Sequence, residues 1–558
     1  MGTVDSARAF GTEATRMAEL GSHAVVLGAG IAGLLAARVL TESYESVTVI
    51  DRDELPDRAE QRTGVPQGRH LHSLLARGTQ AIGELFPGLL DELGAAGAVV
   101  DDSSDLSRLY VRVGRYELNP AGRLSDPQPL AAYQASRPFL EFHLRRRVNA
   151  LGNVAILDRS NIVAPVLAGS AVTGVRIINR DSGTASTVSA DLIVDATGRA
   201  GRTAHFLAMQ GFGVVPEERV PSSGGYSSQL LSIPTGRIAQ RMVFVNQGSR
   251  SPGALMVAYE HDTWMLAISC PAECGSPPDS FAEMLQSAGS MLPATIMAGL
   301  RDATCVGEIS VSRNTAAVWR RYDRMPYLPS GLVILGDALC SLNPLHGQGM
   351  TMAAVQALAL RDCLREGTAD LPQRFFSAAT EHIRPVWAAN RAIDQPAPAA
   401  QERASARRLN SWMQRAATRA ASTDIVVVER ILRVRGLIDP PARLREPSLF
   451  ARILFANLRH PRPALYRPGP SVHSSVSQRD EREIRALVDG QARRRRGRTE
   501  ITRLRYLTPD VALIQARAAI TGRLRRGSRR NTSVAVRTDN GWRLAFSQNA
   551  QGRLTCLS

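Results

Sequence analysis

The sequence predicts an α/β fold: a parallel sheet at the core, a second, antiparallel sheet, and a helical C-terminal region. Three observations predict it. Residues 23–27 (HAVVL), 31–40 (IAGLLAARVL) and 47–51 (VTVID) read as buried strand, helix and buried strand. Together they form a βαβ unit within roughly 30 residues, which demands parallel strands. Residues 205–310 alternate β-rich runs such as RMVFV, GALMVAYE and TWMLAIS with Gly/Pro/Ser turns. Residues 372–460 are mainly helical.

The first turn carries Gly28-Ala29-Gly30-Ile31-Ala32-Gly33. Gly28 allows the tight turn, and Gly30 lets a pyrophosphate approach the backbone. Gly33 lets helix and strand pack closely. The helix N-terminus adds free N–H groups and a positive dipole end. Asp51 closes the second strand, 23 residues after Gly28, where a carboxylate accepts hydrogen bonds from a ribose. Arg52 beside it is placed in the same site. This is the Rossmann-like dinucleotide pattern.

Residues 73–96 then read as helical, and Pro138 starts a helix over 138–150. Two strand-like runs follow, VTGVRII and ADLIVDA, joined by the polar turn RDSGTAST. LVILG (332–336) returns to a buried strand and 347–366 to a helix. The segment 461–475 holds four prolines and reads as a linker. The expected organisation is a discontinuous dinucleotide-binding domain (21–204 and 305–370) and a β domain for substrate (205–304). A helical region (371–460), the linker and a small α+β tail (476–558) complete it. At 558 residues the chain suits two or three domains.

Composition removes several chemistries. All 68 basic residues are arginine, so no lysine Schiff base or phosphate-loop lysine exists. The net charge is +17, and the last 83 residues hold 19 arginines against 7 acids. That excess reads as a solvated face rather than a nucleic-acid site. Six cysteines in no framework suit a reducing cytoplasm. Cys270 and Cys274 lack a second pair, and His70 and His72 lack a third ligand, so no metal is expected. Residues 1–20 show no signal peptide, and no apolar run is long enough for a membrane span.

Two later segments specify the dinucleotide. DLIVDATGRAGR (191–202) and GLVILGDALCSLNPLHGQGMTMA (331–353), following the glycine turn, resemble the FAD monooxygenases typified by para-hydroxybenzoate hydroxylase. The resemblance implies that Gly336 and Asp337 hold the ribityl chain. It places the loop of Pro344, His346, Gly347, Gln348 and Gly349, with Met350, beside the flavin ring. A helix starting there stabilises negative charge on reduced flavin. Arg137, in QASRPFLEFHL, matches the family arginine that reaches the FAD phosphates. The run GVPQGRHLHSLL (64–75) is similar to actinobacterial polyether epoxidases, relatives of squalene epoxidase. The tail, with REIRALVDGQ (482–491), RYLTPDVALIQARAAITG (505–522) and NTSVAVRTDNGWRLAFSQNAQGR (531–553), resembles a truncated cyclase domain of the polyketide-cyclase and nuclear-transport-factor type.

The implied reaction is oxygen transfer from a flavin C4a-hydroperoxide to a hydrophobic polyketide- or terpenoid-type substrate, by epoxidation or hydroxylation, in secondary metabolism. No protein nucleophile is required, and no catalytic side chain is assigned beyond the flavin loop. Where many relatives read G-A-D-G, this chain has Asp195-Ala196-Thr197-Gly198. NAD(P)H therefore serves as electron source directly or through a separate flavin reductase. A FAD-containing cyclase with a non-redox flavin and an isoprenoid double-bond reductase stay open. A halogenase needs a lysine and a W-x-W-x-I-P motif, and both are missing. Tyr226, Met256, Tyr259 and Trp264 are the candidate apolar walls of the substrate pocket.

Overall fold

The computed structural model describes residues 20–119, 121–222, 224–248, 250–395, 404–460, 483–487, 498–508, 511–522, 525–538, 541–549 and 554–556. The chain divides into two compact units, Met1–Arg467 and Pro468–Ser558. The expected linker, 461–475, spans that division and lies outside the described residues, as do residues 1–19.

The first unit is built on a five-stranded parallel sheet. Its spatial order is Leu332–Ile334, Leu192–Asp195, Gly21–Leu27, Tyr44–Ile50, Val154–Leu157. Ala24, Val25, Val26, Ile193, Val194 and Val333 have no exposed surface. Such continuous apolar runs are what strands covered on both faces require. Helix Ile31–Leu40 packs against the long helix Gly349–Arg365. The latter is apolar nearly all round and buried along its length. The strands end together: Leu27 lies opposite both Ile50 and Asp195, and Asp195 opposite Ile334. Gly28, Asp51, Ala196 and Leu335 therefore emerge along one edge of the sheet. Ligands of open α/β sheets bind at that edge, where the connections diverge.

The second sheet has seven strands. Their order is Thr304–Ser312, Gly224–Ser232, Thr263–Pro271, Gly253–Ala258, Met242–Asn246, Leu109–Val113, Tyr116–Glu117. It is antiparallel except where Met242–Asn246 meets Leu109–Val113. Both ends correct the expected boundaries. Leu109–Val113 and Tyr116–Glu117 come from the stretch assigned to the dinucleotide domain, and Thr304–Ser312 reaches past residue 304. A sheet edge pairs with whichever extended segment the fold brings alongside, and local alternation does not encode that partner.

The run 171–195 also divides differently. Ala171–Asn179 pairs with Ser160–Ala168 and with Ala185–Ser189 in a separate antiparallel sheet. Only Leu192–Asp195 joins the parallel sheet. The expected polar turn thus contains the start of a strand.

The helical region contains Leu371–Asp394, Ala404–Ala421, Ile425–Arg435 and Pro447–Arg459. Asp424 caps the third helix by accepting the Val426 N–H at 2.9 Å. Val427, Val428, Leu449 and Ile453 form a small core with Leu106 and Leu124.

In the second unit, five antiparallel strands follow one another in chain order: Arg498–Thr508, Val511–Gly522, Arg525–Thr538, Gly541–Asn549 and Leu554–Cys556. The stretch read as one run, 505–522, is two strands. Pro509 separates them in sequence, and it has no N–H for the ladder. The expected first helix is described over 483–487, and the turn at Asp539 and Asn540 lies outside the described residues. Among the described residues, no helix is long and apolar enough to cross a membrane.

Candidate functional site

The three glycines differ in what surrounds them. Gly28 has φ 100°, and a Cβ there would stand 2.8 Å from the Ala196 carbonyl oxygen. A Cβ on Gly33 would stand 1.8 Å from the Gly28 carbonyl oxygen. Both positions are closed by backbone. Gly30 is open: with φ −74°, the nearest atoms to a Cβ would be Nη2 of Arg137 at 3.8 Å and Nη2 of Arg62 at 3.9 Å. Two guanidinium groups thus overlook a bare helix N-terminus, a surface suited to a pyrophosphate.

Arg137 is the first residue of helix Arg137–Asn149, which Ser136 caps by accepting the Phe139 N–H. Glu260 in turn holds Ser136, accepting its backbone N–H at 2.8 Å. Arg137 Nε lies 3.5 Å from Glu141 Oε2, and both atoms are buried without a hydrogen bond. Arg62 is more heavily engaged. It donates to Glu141 Oε1 at 2.5 Å and Asp53 Oδ2 at 2.9 Å, and its Nη1 lies 3.3 Å from Asp51. Desolvation works against its charge, but Glu141 and Asp51 outweigh that and its pKa is raised.

Asp51 is buried, with Oδ2 accepting the Ala29 N–H at 2.7 Å and Oδ1 the Asp53 N–H at 2.9 Å. It fixes the glycine turn and keeps lone-pair capacity to spare. The Arg52 side chain is 63% exposed, and its Nε lies 3.9 Å from Asp53 Oδ1, on the carboxylate that also pairs with Arg62.

At the other end, Gly336 has φ 70°, and Gln356 Oε1 accepts its N–H at 2.7 Å. Among the described residues no protein group hydrogen-bonds the Asp337 carboxylate. Its Oδ1 lies 3.7 Å from where a Cβ on Gly349 would stand, at the start of the long helix. Burial raises the Asp337 pKa, while the charges of Arg199 and Arg137 lower it. Arg137 therefore acts on both ends of the site.

Pro344–His346 form a 3-10 turn whose start is capped by Asn343, and Gly347 follows at φ 66°. Pro344, Gly347 and Gly349 are exposed. His346 Nε2 pairs with Asp394 Oδ1 at 3.0 Å, and Gln348 Oε1 accepts from Asn390 at 2.6 Å. The last turns of helix Leu371–Asp394 thus hold the loop. Met350 is buried, so only its backbone faces the turn.

The loop Pro344–Gln348 forms part of the wall of a cleft of roughly 3170 Å³, floored by the seven-stranded sheet. Tyr226 lines it as expected. Met256 and Trp264 do not: they are buried in the core on the opposite face. Tyr259 is buried too, its hydroxyl donating to the His72 carbonyl at 2.6 Å. Strand alternation sets which side faces the cleft, and Leu255 and Ala267 take the places expected of Met256 and Trp264.

His70 sits edge-on to Tyr226 with centroids 4.7 Å apart, and its Nδ1 is 3.1 Å from Ser228 Oγ. Burial lowers its pKa to about 4. His72 is lowered to about 3 by burial first and the Arg137 charge second. Asp195 is spent on structure, accepting from Thr197 and Thr203.

Sequence reasoning missed Arg62, Gln356 and Arg199. Arg199 donates to Ser341 Oγ at 2.7 Å and to the Leu342 carbonyl, tying DATGR to the loop. Arg62 lies two residues before a quoted run, but its three acidic partners are scattered from Asp51 to Glu141.

Comparison with known proteins adds the following. No protein-family model matches the chain. Protein Rv3254 of Mycobacterium tuberculosis is 37% identical over 455 residues, covering 78% of this chain and 94% of that protein. Kynurenine 3-monooxygenase of Salinispora arenicola is 26% identical over 358 residues, covering 61% of this chain and 72% of that protein. Among solved structures, the flavin-dependent brominase Bmp2 aligns with TM-score 0.55 at 15% identity, covering 79% of this chain and 100% of that one. The p-nitrophenol 4-monooxygenase PnpA from Pseudomonas putida aligns with TM-score 0.55 at 15% identity, covering 76% and 99%. At such identities these structures establish the fold, that of the FAD-binding monooxygenases.

Proposed function

The chain belongs to the family of Protein Rv3254 from Mycobacterium tuberculosis, and from its fold and site we propose that it is an FAD-dependent monooxygenase acting on a hydrophobic substrate. One observation carries the reading. A line of groups open to a ligand runs from Gly30, under Arg62 and Arg137, to the Asp337 carboxylate, which has no hydrogen-bond donor among the described residues, and the Gly347–Gly349 turn, and that loop is also part of the wall of the large cleft.

The residues fit FAD. Gly30 with the two arginines would take the pyrophosphate, Asp51 the ribose and Asp337 the ribityl hydroxyls. The Pro344–Gly349 turn would meet the ring. Bound FAD supplies two-electron redox chemistry and activation of molecular oxygen. The protein's part is placement. The helix Gly349–Arg365 offers its positive end to negative charge at the ring. Arg199, Gln356 and the His346–Asp394 pair fix the loops around it. The cleft floor shields the substrate from water.

Epoxidation or hydroxylation of a polyketide- or terpenoid-type compound in secondary metabolism is the finer reading. The apolar floor and the 64–75 run support it. A truncated cyclase-like domain in the tail belongs to the same finer reading and rests on the residues of 482–553. NAD(P)H is the electron source, either directly or through a separate flavin reductase. Five cysteines are free among the described residues, which supports a cytoplasmic setting. Halogenation is disfavoured because the chain has no lysine. The test is to purify the protein, identify its flavin, and supply an apolar extract with a reductase and isotopically heavy dioxygen. One labelled oxygen atom in a product is expected. A protein that retains FMN as well as FAD, or turnover without label, refutes the proposal.

A further inference from the structure

Arg62 and Arg137 overlook the same helix N-terminus but are held in different ways. The Arg62 guanidinium is fixed by Glu141, Asp53 and Asp51. The Arg137 guanidinium makes no hydrogen bond among the described residues, and its one ion pair there is with Glu141 at 3.5 Å. Arg137 is placed instead by its backbone, as the first residue of helix Arg137–Asn149.

The start of that helix is capped from far away in the chain. A capping box has Ser or Thr at the cap and Glu or Gln three residues on, whose side chain reaches back to the cap N–H. Ser136 supplies the first half, accepting the Phe139 N–H at 3.3 Å. Phe139 stands where the acid belongs and has no side-chain acceptor. Glu260 takes that role from 124 residues away. Its Oε2 accepts the Ser136 N–H at 2.8 Å, and its Oε1 accepts the Ser136 hydroxyl at 2.5 Å. Glu260 is buried and has no ion pair among the described residues. A buried carboxylate without a cation is costly, and the positive end of the helix offsets that cost.

Glu260 is itself rigidly presented. It stands just before the hairpin turn that joins strands Gly253–Ala258 and Thr263–Pro271. His261 and Asp262 form the turn with φ 55° and 56°, the left-handed pair that two-residue hairpins favour. The Glu260 carbonyl accepts the Thr263 N–H at 3.1 Å, and Asp262 Oδ1 accepts from Thr235 Oγ1 at 2.6 Å. The same two strands carry Leu255 and Ala267 to the cleft floor.

We propose that Glu260 is a positioning residue for the FAD pyrophosphate: from the seven-stranded sheet it supplies the acidic half of the cap on the arginine helix, and so sets Arg137 over Gly30. The cleft floor and the dinucleotide site then share one joint. This rests on the FAD reading above.

The experiment measures FAD binding by the full-length protein, from the fluorescence of flavin released on dilution. ADP, which carries the pyrophosphate without the flavin, is measured by equilibrium dialysis of the flavin-free protein. Glu260→Ala should weaken both ligands about tenfold. Glu260→Gln keeps one acceptor oxygen and should weaken them about threefold. Arg137→Met should weaken both further than Glu260→Ala does. The two losses should not multiply: Glu260→Ala combined with Arg137→Met should bind within about twofold of Arg137→Met alone. A glutamate that only holds the sheets together would lower affinity by the same factor whether or not Arg137 is present. The cycle is repeated with Glu260→Gln, which decides the matter if the alanine variant does not fold. Affinities of Glu260→Ala within about twofold of the parent, or losses that multiply, overturn the proposal. FAD bound with losses that multiply defeats the positioning role alone. ADP showing the non-multiplying losses in a protein that takes no FAD defeats the monooxygenase reading alone, and binding of neither ligand defeats both.

Discussion

Replacing Gly30 by alanine separates a glycine kept for the ligand from glycines kept for the fold. The backbone at Gly30 has φ −74° and ψ 176°, a conformation alanine adopts freely. The new methyl would meet nothing closer than 3.8 Å. Two small terms oppose each other. Restricting the unfolded chain stabilises by about 0.4–1 kcal/mol, and alanine is a poorer helix cap than glycine by about 1 kcal/mol. The apoprotein should therefore unfold within about 2 °C of the parent. The bound pyrophosphate, in contrast, needs the space the methyl takes. Overpacking costs about 1–3 kcal/mol, so FAD affinity should fall roughly 5- to 150-fold. Gly33→Ala is the counterpart. Its methyl would lie 1.8 Å from a carbonyl oxygen, so the turn must move and the apoprotein itself should be destabilised. Thermal unfolding of the flavin-free proteins and quenching of FAD fluorescence report the two effects separately. Wild-type FAD affinity in a well-folded Gly30→Ala variant would refute the reasoning.

Asp337→Ala removes an acceptor that no group hydrogen-bonds among the described residues, so stability should hardly change while FAD affinity drops by about 1.5–3 kcal/mol; retention of flavin through dialysis checks it. His70 and His72 are held neutral, with pKa values of about 4 and about 3 against 6.5 unfolded. The unfolded chain binds more protons below pH 6.5, so their contribution is full above that pH and is lost as pH falls toward 4 and 3. Denaturant midpoints should fall over this window, less steeply in His70→Asn, and an identical slope in that variant counts against the assignment. A chain stopped at Ser475 keeps every residue of the site and should fold, bind FAD and consume oxygen with substrate. Loss of flavin on truncation would show that the first unit depends on the second.

The βαβ unit, the glycine turn and the place of Asp51 are legible in the sequence as local pattern, because each follows from glycine's freedom or an apolar run. Arg137, the Gly336-Asp337 turn and the loop ahead of the long helix are expected from the resemblance of three short segments to the FAD monooxygenases. Tertiary structure alone decided what depends on partners far apart in the chain. Arg62 reads as an ordinary loop arginine until Asp51, Asp53 and Glu141 close around it. Period-two alternation marked Met256 and Trp264 as apolar strand residues, but the face turned to the cleft is fixed by which layer packs on which. Leu109–Val113 joins the substrate sheet because a free edge pairs with the strand delivered to it. Burial and charge balance are sums over neighbours, and neighbours are set by the fold.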